Sequence, residues 1–442
     1  MSRSLLTLPR KIGAQALVLL RDPKRFIENL DYSLHPEKLR QKLLGFEFMP
    51  PMHFDVEPVG NASPHVNVLL PKLEAGSLTG GPNTALMIAY GLAALGVPIR
   101  LLAVDEALPE DIPGLYKHIG VLVGQGHNQE QIRRIIALGS TVDPNSPMKV
   151  GPHDVFLATY WTTAFRLKPL LDRFQTKEFL YLIQDFEPSF YPWSSSYAQA
   201  LETYSMPYRG LINEQLLAYH LQETKTGRFA EAGFADRCAV FEPAVDRRLF
   251  HAVDRAGPVR TLLFYARPGQ PRNLFGIGFE ALRIATAHPV FAENDWRYLA
   301  IGGGSLGRMP LEMGQVMTPA PWMSYETYAG AMRAADILLC PMLSPHTSYP
   351  VLEMAACRGI PVTNTFGSKT ADRLRNLSTH IVAATPSIEG LAAALVEAGS
   401  RALRDERRCD HVALPEDWPG ALATTIDTAA EMFREIVARC EP

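Results

Sequence analysis

The 442-residue chain predicts an α/β protein with two doubly wound parallel-sheet halves facing one cleft. Three observations lead there. The length exceeds what one ordinary core holds. Short continuous apolar runs, typical of parallel strands buried on both faces, alternate with helix patterns, and this series starts twice, at residues 65 and 259. Finally, a loop leaving the apolar run Ala335–Pro341 leads into a helix pattern with Glu353 in its expected first turn and Gly359 at its end. Such loops form ligand pockets outside the carboxyl ends of strands.

Residues 1–60 read as a helical N-terminal extension without α/β rhythm. Its apolar run Ile12–Leu20 lies between Arg10-Lys11 and the charged Arg21–Arg25, unlike the small residues that end a signal peptide. It is either an amphipathic helix docked on the body or a basic, apolar anchor at a membrane surface. The first half spans 61–248. Strand His65–Leu70 is followed by a loop with Gly76, Gly80 and Gly81, then a helix Asn83–Leu95 capped by Asn83 and stopped by Gly96. Strands Ile99–Ala103, Asp154–Ala158, Glu178–Ile183 and Arg209–Ile212 follow. The second half spans 249–410. It has strand Val259–Tyr265, a helix from Asn273 to about Ala287, strand Trp296–Ile301, the triple glycine Gly302–Gly304, helix Tyr325–Ala335 and strand Asp336–Cys340. The Glu353 helix and strand Pro361–Thr363 close the series. Residues 411–442 hold a last helix, Ala421–Ala438.

A net charge of −3 offers no polycation to a nucleic-acid backbone. Five scattered cysteines (Cys238, Cys340, Cys357, Cys409, Cys440) without CxxC pairs suggest neither a disulfide framework nor a zinc site, and fit a reduced cytoplasm. No apolar run is long enough for a transmembrane helix. His127 and His153 read as ordinary loop histidines.

The residues able to carry chemistry cluster at strand ends. Arg267 follows strand Val259–Tyr265, with Arg272 and Asn273 ahead of the next helix; cations there suit an anionic leaving group. Gly80 and Gly81 let backbone amides approach an anion at a helix start. Gly303 either lines a pocket or belongs to a plain turn. Asp185 and Glu187 in Gln184–Pro188 suit a general base or acceptor-hydroxyl ligands; the rival is a metal-binding carboxylate pair, for which two such halves leave no room. Tyr191, Trp193 and, after another strand, Trp161 either stack on an acceptor sugar or pack as loop aromatics.

The stretch Pro345–Gly359 resembles the donor signature of GT-B glycosyltransferases of the glycogen-synthase-like type, which read Glu-Gly-Phe-Gly-Leu-Pro-Val-Leu-Glu. Glu353 matches the second glutamate, Pro345 stands at the first, and Thr347, Ser348 and Tyr349 replace part of Gly-Phe-Gly-Leu. Phe241–Phe250 is similar to the hinge of these enzymes. The resemblance covers roughly residues 65–400, and Ser344–Cys357 with Tyr181–Pro188 looks like the rhamnosyltransferase WsaF group. It implies a GT-B fold whose last helix crosses back to the first half, and transfer of a sugar, rhamnose from a dTDP donor, to a growing surface glycan, free or lipid-linked, without a metal. Arg267 would stabilise the departing diphosphate, Arg272 or Asn273 would stand for the usual lysine, Glu353 would hold the ribose, Tyr349 would contact the donor, and Asp185 would act on the acceptor side. Two other classes stay open: a GT-B sugar-nucleotide 2-epimerase and a glycan-binding scaffold that has lost transfer.

Overall fold

The computed structural model describes residues 49–57, 63–78, 80–124, 128–254, 257–303, 306–404 and 412–440. The extension up to residue 48, with its expected helix and membrane anchor, lies outside them, as do His127, Gly304 and Cys409.

A small parallel sheet pairs β1 (Phe54–Val56) with β5 (Met148–Val150). The first large sheet comprises β2 (Val66–Leu70), β3 (Ile99–Ala103), β4 (Ile136–Ser140), β6 (Val155–Ala158), β7 (Phe179–Ile183), β8 (Tyr208–Asn213) and β9 (Ala239–Phe241). Its order is β4-β3-β2-β6-β7-β8-β9, parallel throughout. The second comprises β10 (Arg260–Tyr265), β11 (Trp296–Ile301), β12 (Met309–Pro310), β13 (Val316–Pro319), β14 (Ile337–Leu339), β15 (Ile360–Asn364) and β16 (Val382–Ala384), in the order β12-β13-β11-β10-β14-β15-β16. Only the short β12 runs antiparallel to its neighbour among these described strands.

Both sheets are covered on both faces, which explains the continuous apolar runs. Successive strand residues point to opposite faces. Leu180 and Leu182 of β7 enter one core, whereas Phe179, Tyr181 and Ile183 enter another. In the second sheet Leu262 and Phe264 face one core and Leu263 the other.

The helices that matter for the cleft are α1 (Gly81–Ala94), α2 (Trp161–Leu167), α3 (Gln215–Glu223), α4 (Phe275–Ala285), α5 (Tyr325–Ala334), α6 (Tyr349–Ala356), α7 (Ile388–Leu403) and α8 (Trp418–Ala438). The last, α8, returns to the first half. Leu422, Ala429, Met432 and Phe433 join the core beside β2 and β3. A Cβ on Gly91 of α1 would lie 2.4 Å from Ile426, so the two helices cross at a glycine. Arg209 of β8 also binds Glu435 at 2.5 Å.

Three boundaries and one edge strand depart most from the sequence reading. Helix α1 is capped by Gly80, not Asn83, because Pro82 pre-sets helical backbone in its first turn; the Asn83 side chain instead meets His118 Nε2 at 2.9 Å. Helix α8 starts earlier than Ala421, since Asp417 accepts from the Gly420 amide at 2.7 Å. The end of the extension belongs to the body: Met52 and Phe54 are buried, and β1 pairs with β5. Strand β4, half exposed at a sheet edge, lacked the continuous apolar run that marked the inner strands.

Candidate active site

The cleft between the halves has a volume of 480 Å³ and is lined by residues lying just past strand ends. Thr159 and Tyr160 follow β6, Gln184 and Asp185 follow β7, and Asn213 ends β8. From the second half come Arg267, Arg272, Asn273, Met342, His346, Ser348 and Tyr349. This is the placement expected for a ligand site in open α/β sheets.

Gly80 and Gly81 both line the cleft at the start of α1. Gly80 has φ +57° and ψ −118°, which a side chain opposes. A Cβ on Gly81 would come within 2.8 Å of Gln184 Nε2, which donates to the Gly81 carbonyl at 3.1 Å.

The cations divide into one free and one committed. Arg267 forms no ion pair among the described residues; it donates to the Tyr265 hydroxyl at 3.4 Å. Arg272 instead pairs with Asp185 across the cleft and lies over the Phe190 ring at 4.0 Å. Asn273 is buried at the cleft wall.

Asp185 also accepts from the Ser344 hydroxyl and, at 2.8 Å, from the Phe186 amide. Burial alone pushes its pKa up, yet Arg272, His346 and these donors outweigh it and hold the carboxyl below its ordinary value. A carboxylate so stabilised is a weak base and a firm tie between the halves.

Glu187 lines the cleft but serves α2: it accepts from the Trp161 amide at 2.6 Å. Burial pushes its pKa well up. The two carboxylates of this segment thus turn to different partners, and no group of three or more metal-ligating side chains occurs among the described residues. Trp161 is fully buried, its ring N–H held by the Tyr191 hydroxyl at 3.1 Å, so neither lines the cleft. Trp193 is 94% exposed and also outside it. The aromatic rings of the first half that reach the cleft are Tyr160 and Phe190; Tyr265 and Tyr349 reach it from the second.

Glu353 is the fifth residue of α6, beyond the first turn, and is buried. Its carboxylate accepts from Tyr328 at 2.7 Å and Tyr325 at 3.2 Å. Burial pushes its pKa up to about 7 against these two donors. Hinge residue Phe250 packs edge-on against both tyrosines, coupling the joint to this carboxylate. Glu353 and Gly303 are not among the residues lining the cavity. It is Gly302 that supports the site: at φ +107°, its Cβ would crowd Arg267 and Tyr265 at 3.1 and 3.2 Å. Tyr349 lines the cleft, its hydroxyl taken by Asn213 Nδ2 at 2.9 Å and its ring against Trp418 of α8.

The sequence reading missed Asn213, Glu214, His346 and Lys369. Glu214 accepts from the Thr347 amide at 2.9 Å and from the Thr347 hydroxyl. Lys369 is fully buried, donates to the Met342 carbonyl at 2.9 Å, and is pushed down to about 8 by burial. His346 sits within the Pro345–Gly359 stretch but was not singled out there; the other three sit in no motif, though each lies at or near a strand end. No helix among the described residues is long and apolar enough to cross a membrane.

Comparison with known proteins agrees with this architecture. Two family models match: "WsaF, N-terminal domain" over residues 65–213 and "WsaF, C-terminal domain" over residues 260–396. The O-antigen biosynthesis protein RfbC of Myxococcus xanthus is 34% identical over 255 residues, covering 56% of this chain. The chain spans only 18% of that relative's length. Among solved structures, sucrose-phosphate synthase from Thermosynechococcus elongatus superposes with TM-score 0.51 at 13% identity, covering 85% of this chain and 100% of that one. Matched in both halves and over most of its length, the chain belongs to the WsaF family and has the GT-B glycosyltransferase fold.

Proposed function

We propose that the protein transfers rhamnose from dTDP-rhamnose to a growing surface polysaccharide, working at the cytoplasmic side on a free or lipid-linked glycan. The observation that carries the donor reading is Arg267: a cation without an ion-pair partner among the described residues, facing a cleft whose other wall starts with Gly80 and Gly81. As the glycosidic bond breaks, negative charge builds on the leaving diphosphate; Arg267 and the amides at the start of α1 meet it without a metal ion. Glu353, outside the lined cavity and bonded to Tyr328 and Tyr325, gives up one of these hydroxyls for one of the ribose as the donor binds. Asp185, tied to Arg272 and Ser344, positions the two halves around the donor instead of accepting the acceptor's proton. Tyr160 and Phe190 offer rings to the acceptor. The name of the Myxococcus xanthus relative supports a polysaccharide product. Pro345, which has no carboxylate for a sugar hydroxyl, supports a donor other than glucose.

A thermal-shift screen with dTDP, UDP and GDP tests this, with Arg267→Ala as control. Stabilisation by dTDP that the variant loses is the expected result. Selective response to UDP or GDP refutes the rhamnose donor, and no response to any diphosphate refutes donor binding and leaves a glycan-binding scaffold.

A further inference from the structure

Three cleft side chains have a buried polar atom without a partner among the described residues; one is a donor, Arg272 Nε, and two are acceptors. Asn213, 1% exposed at the end of β8, donates through Nδ2 to the Tyr349 hydroxyl at 2.9 Å, while its Oδ1 has no hydrogen-bond partner. Gln184, at the end of β7, spends Nε2 on the Gly81 carbonyl, and its buried Oε1 is likewise unpartnered. Buried polar atoms are nearly always satisfied, so two such acceptors in one cleft point to a ligand that donates.

His346 completes the set from the opposite wall. Its Nδ1 accepts from the Ser348 amide at 3.0 Å, which leaves the proton of the neutral ring on Nε2. That nitrogen lies 3.3 Å from Glu214 Oε2, the acceptor for its proton, and 3.3 Å from Asn213 Nδ2, which is itself a donor. The backbone is forced on both sides of this contact: Glu214 has φ +81° and Ser348 φ +83°, values that residues with a Cβ rarely adopt. Strain of this kind is retained where surrounding structure over-determines it, commonly at ligand sites.

We infer that Gln184, Asn213 and His346 read the hydroxyls of the donor sugar, replacing the carboxylate missing at Pro345 with neutral side chains, and that Glu214 is the positioning residue that fixes the His346 ring. The amide oxygens accept from sugar hydroxyls, and the single imidazole N–H, 3.3 Å from Glu214 Oε2, is shared between that carboxylate and a sugar hydroxyl, a pattern suited to an uncharged sugar. This assignment rests on the donor reading above and names its specificity determinants.

Calorimetric titration of the full chain with dTDP and dTDP-rhamnose, and in parallel UDP and UDP-glucose, separates the two ideas. Asn213→Ala and, independently, Gln184→Ala weaken the sugar nucleotide about tenfold, the worth of one hydrogen bond in a buried site, and leave the free diphosphate within about twofold. Glu214→Gln gives a smaller loss confined to the sugar nucleotide and alters the ¹⁵N shifts of the His346 ring. Equal losses for both ligands, or none in either variant, overturn the subsite while leaving the donor reading intact. Unchanged ring shifts and affinities in Glu214→Gln overturn its positioning role. Failure of the wild-type chain to bind any diphosphate overturns the donor reading, and the subsite falls with it.

Discussion

Replacing Glu353 with glutamine isolates a pH-dependent cost built into helix α6. The carboxyl is buried with its pKa pushed up from 4.5 to about 7, chiefly by desolvation and against donation from Tyr328 and Tyr325. At about 1.36 kcal/mol per pH unit, ionising it in the folded chain costs about 3 kcal/mol more than in the unfolded chain. The sign follows from linkage. Below the ordinary 4.5 both states hold the proton and stability is full; between 4.5 and about 7 only the folded state holds it, so stability falls as pH rises. Above about 7 the loss is complete. Glutamine cannot ionise, and it keeps an acceptor for one tyrosine. Urea denaturation of wild type and Glu353→Gln between those limits and beyond should therefore show the variant gaining on wild type by about 3 kcal/mol, with a plateau at higher pH. A gap independent of pH refutes the buried, proton-retaining carboxylate. If Glu353 receives a ribose hydroxyl, the more stable variant binds the nucleotide less well, a trade common where a site is kept polar for a ligand.

Arg272→Ala leaves Asp185 buried without its cation, which costs about 3–5 kcal/mol in denaturant titrations near neutral pH. Because Asp185 is held below its ordinary value, that contribution is present above the usual carboxylate range and fades as pH falls through the folded value; a gap unchanged in acid refutes the pair. Ser348→Gly relieves a φ of +83° and raises stability by about 1 kcal/mol, read as a higher denaturation midpoint at unchanged slope. A lower midpoint shows that the lost Ser348 hydroxyl contact with Cys340 Sγ, 3.6 Å long, outweighs the strain.

The inner strands were legible because parallel strands covered on both faces leave unbroken apolar runs, and Arg267 was legible because it stands just past one of them. What escaped was whatever needed the third dimension. Trp161 follows a strand as a pocket aromatic would, yet it is buried with its N–H satisfied; sequence does not tell a ring facing a cleft from one facing the core. Gly302 and Gly303 look alike until Arg267 packs against the first. Glu214 and Thr347 lie far apart in sequence and meet only because the two halves close on each other.

That last contact bears on the incomplete donor signature. The motif places glycine where this chain has Ser348, and Ser348 nonetheless takes a positive φ of 83°. The loop therefore keeps a glycine-like backbone without the glycine. Its shape is imposed from outside, by the opposite half: the Glu214 carboxylate accepts from the Thr347 amide, Asp185 accepts from the Ser344 hydroxyl, and Asn213 Nδ2 donates to the Tyr349 hydroxyl. A loop that had merely decayed would relax to an unstrained conformation, since nothing would oppose the cost of about 1–3 kcal/mol. The change at Pro345 thus bears on what the loop reads and not on whether it forms. On the proposed donor reading, with no carboxylate at Pro345, the polar groups facing the sugar come mainly from the first half, so donor choice and closure of the cleft depend on the same side chains.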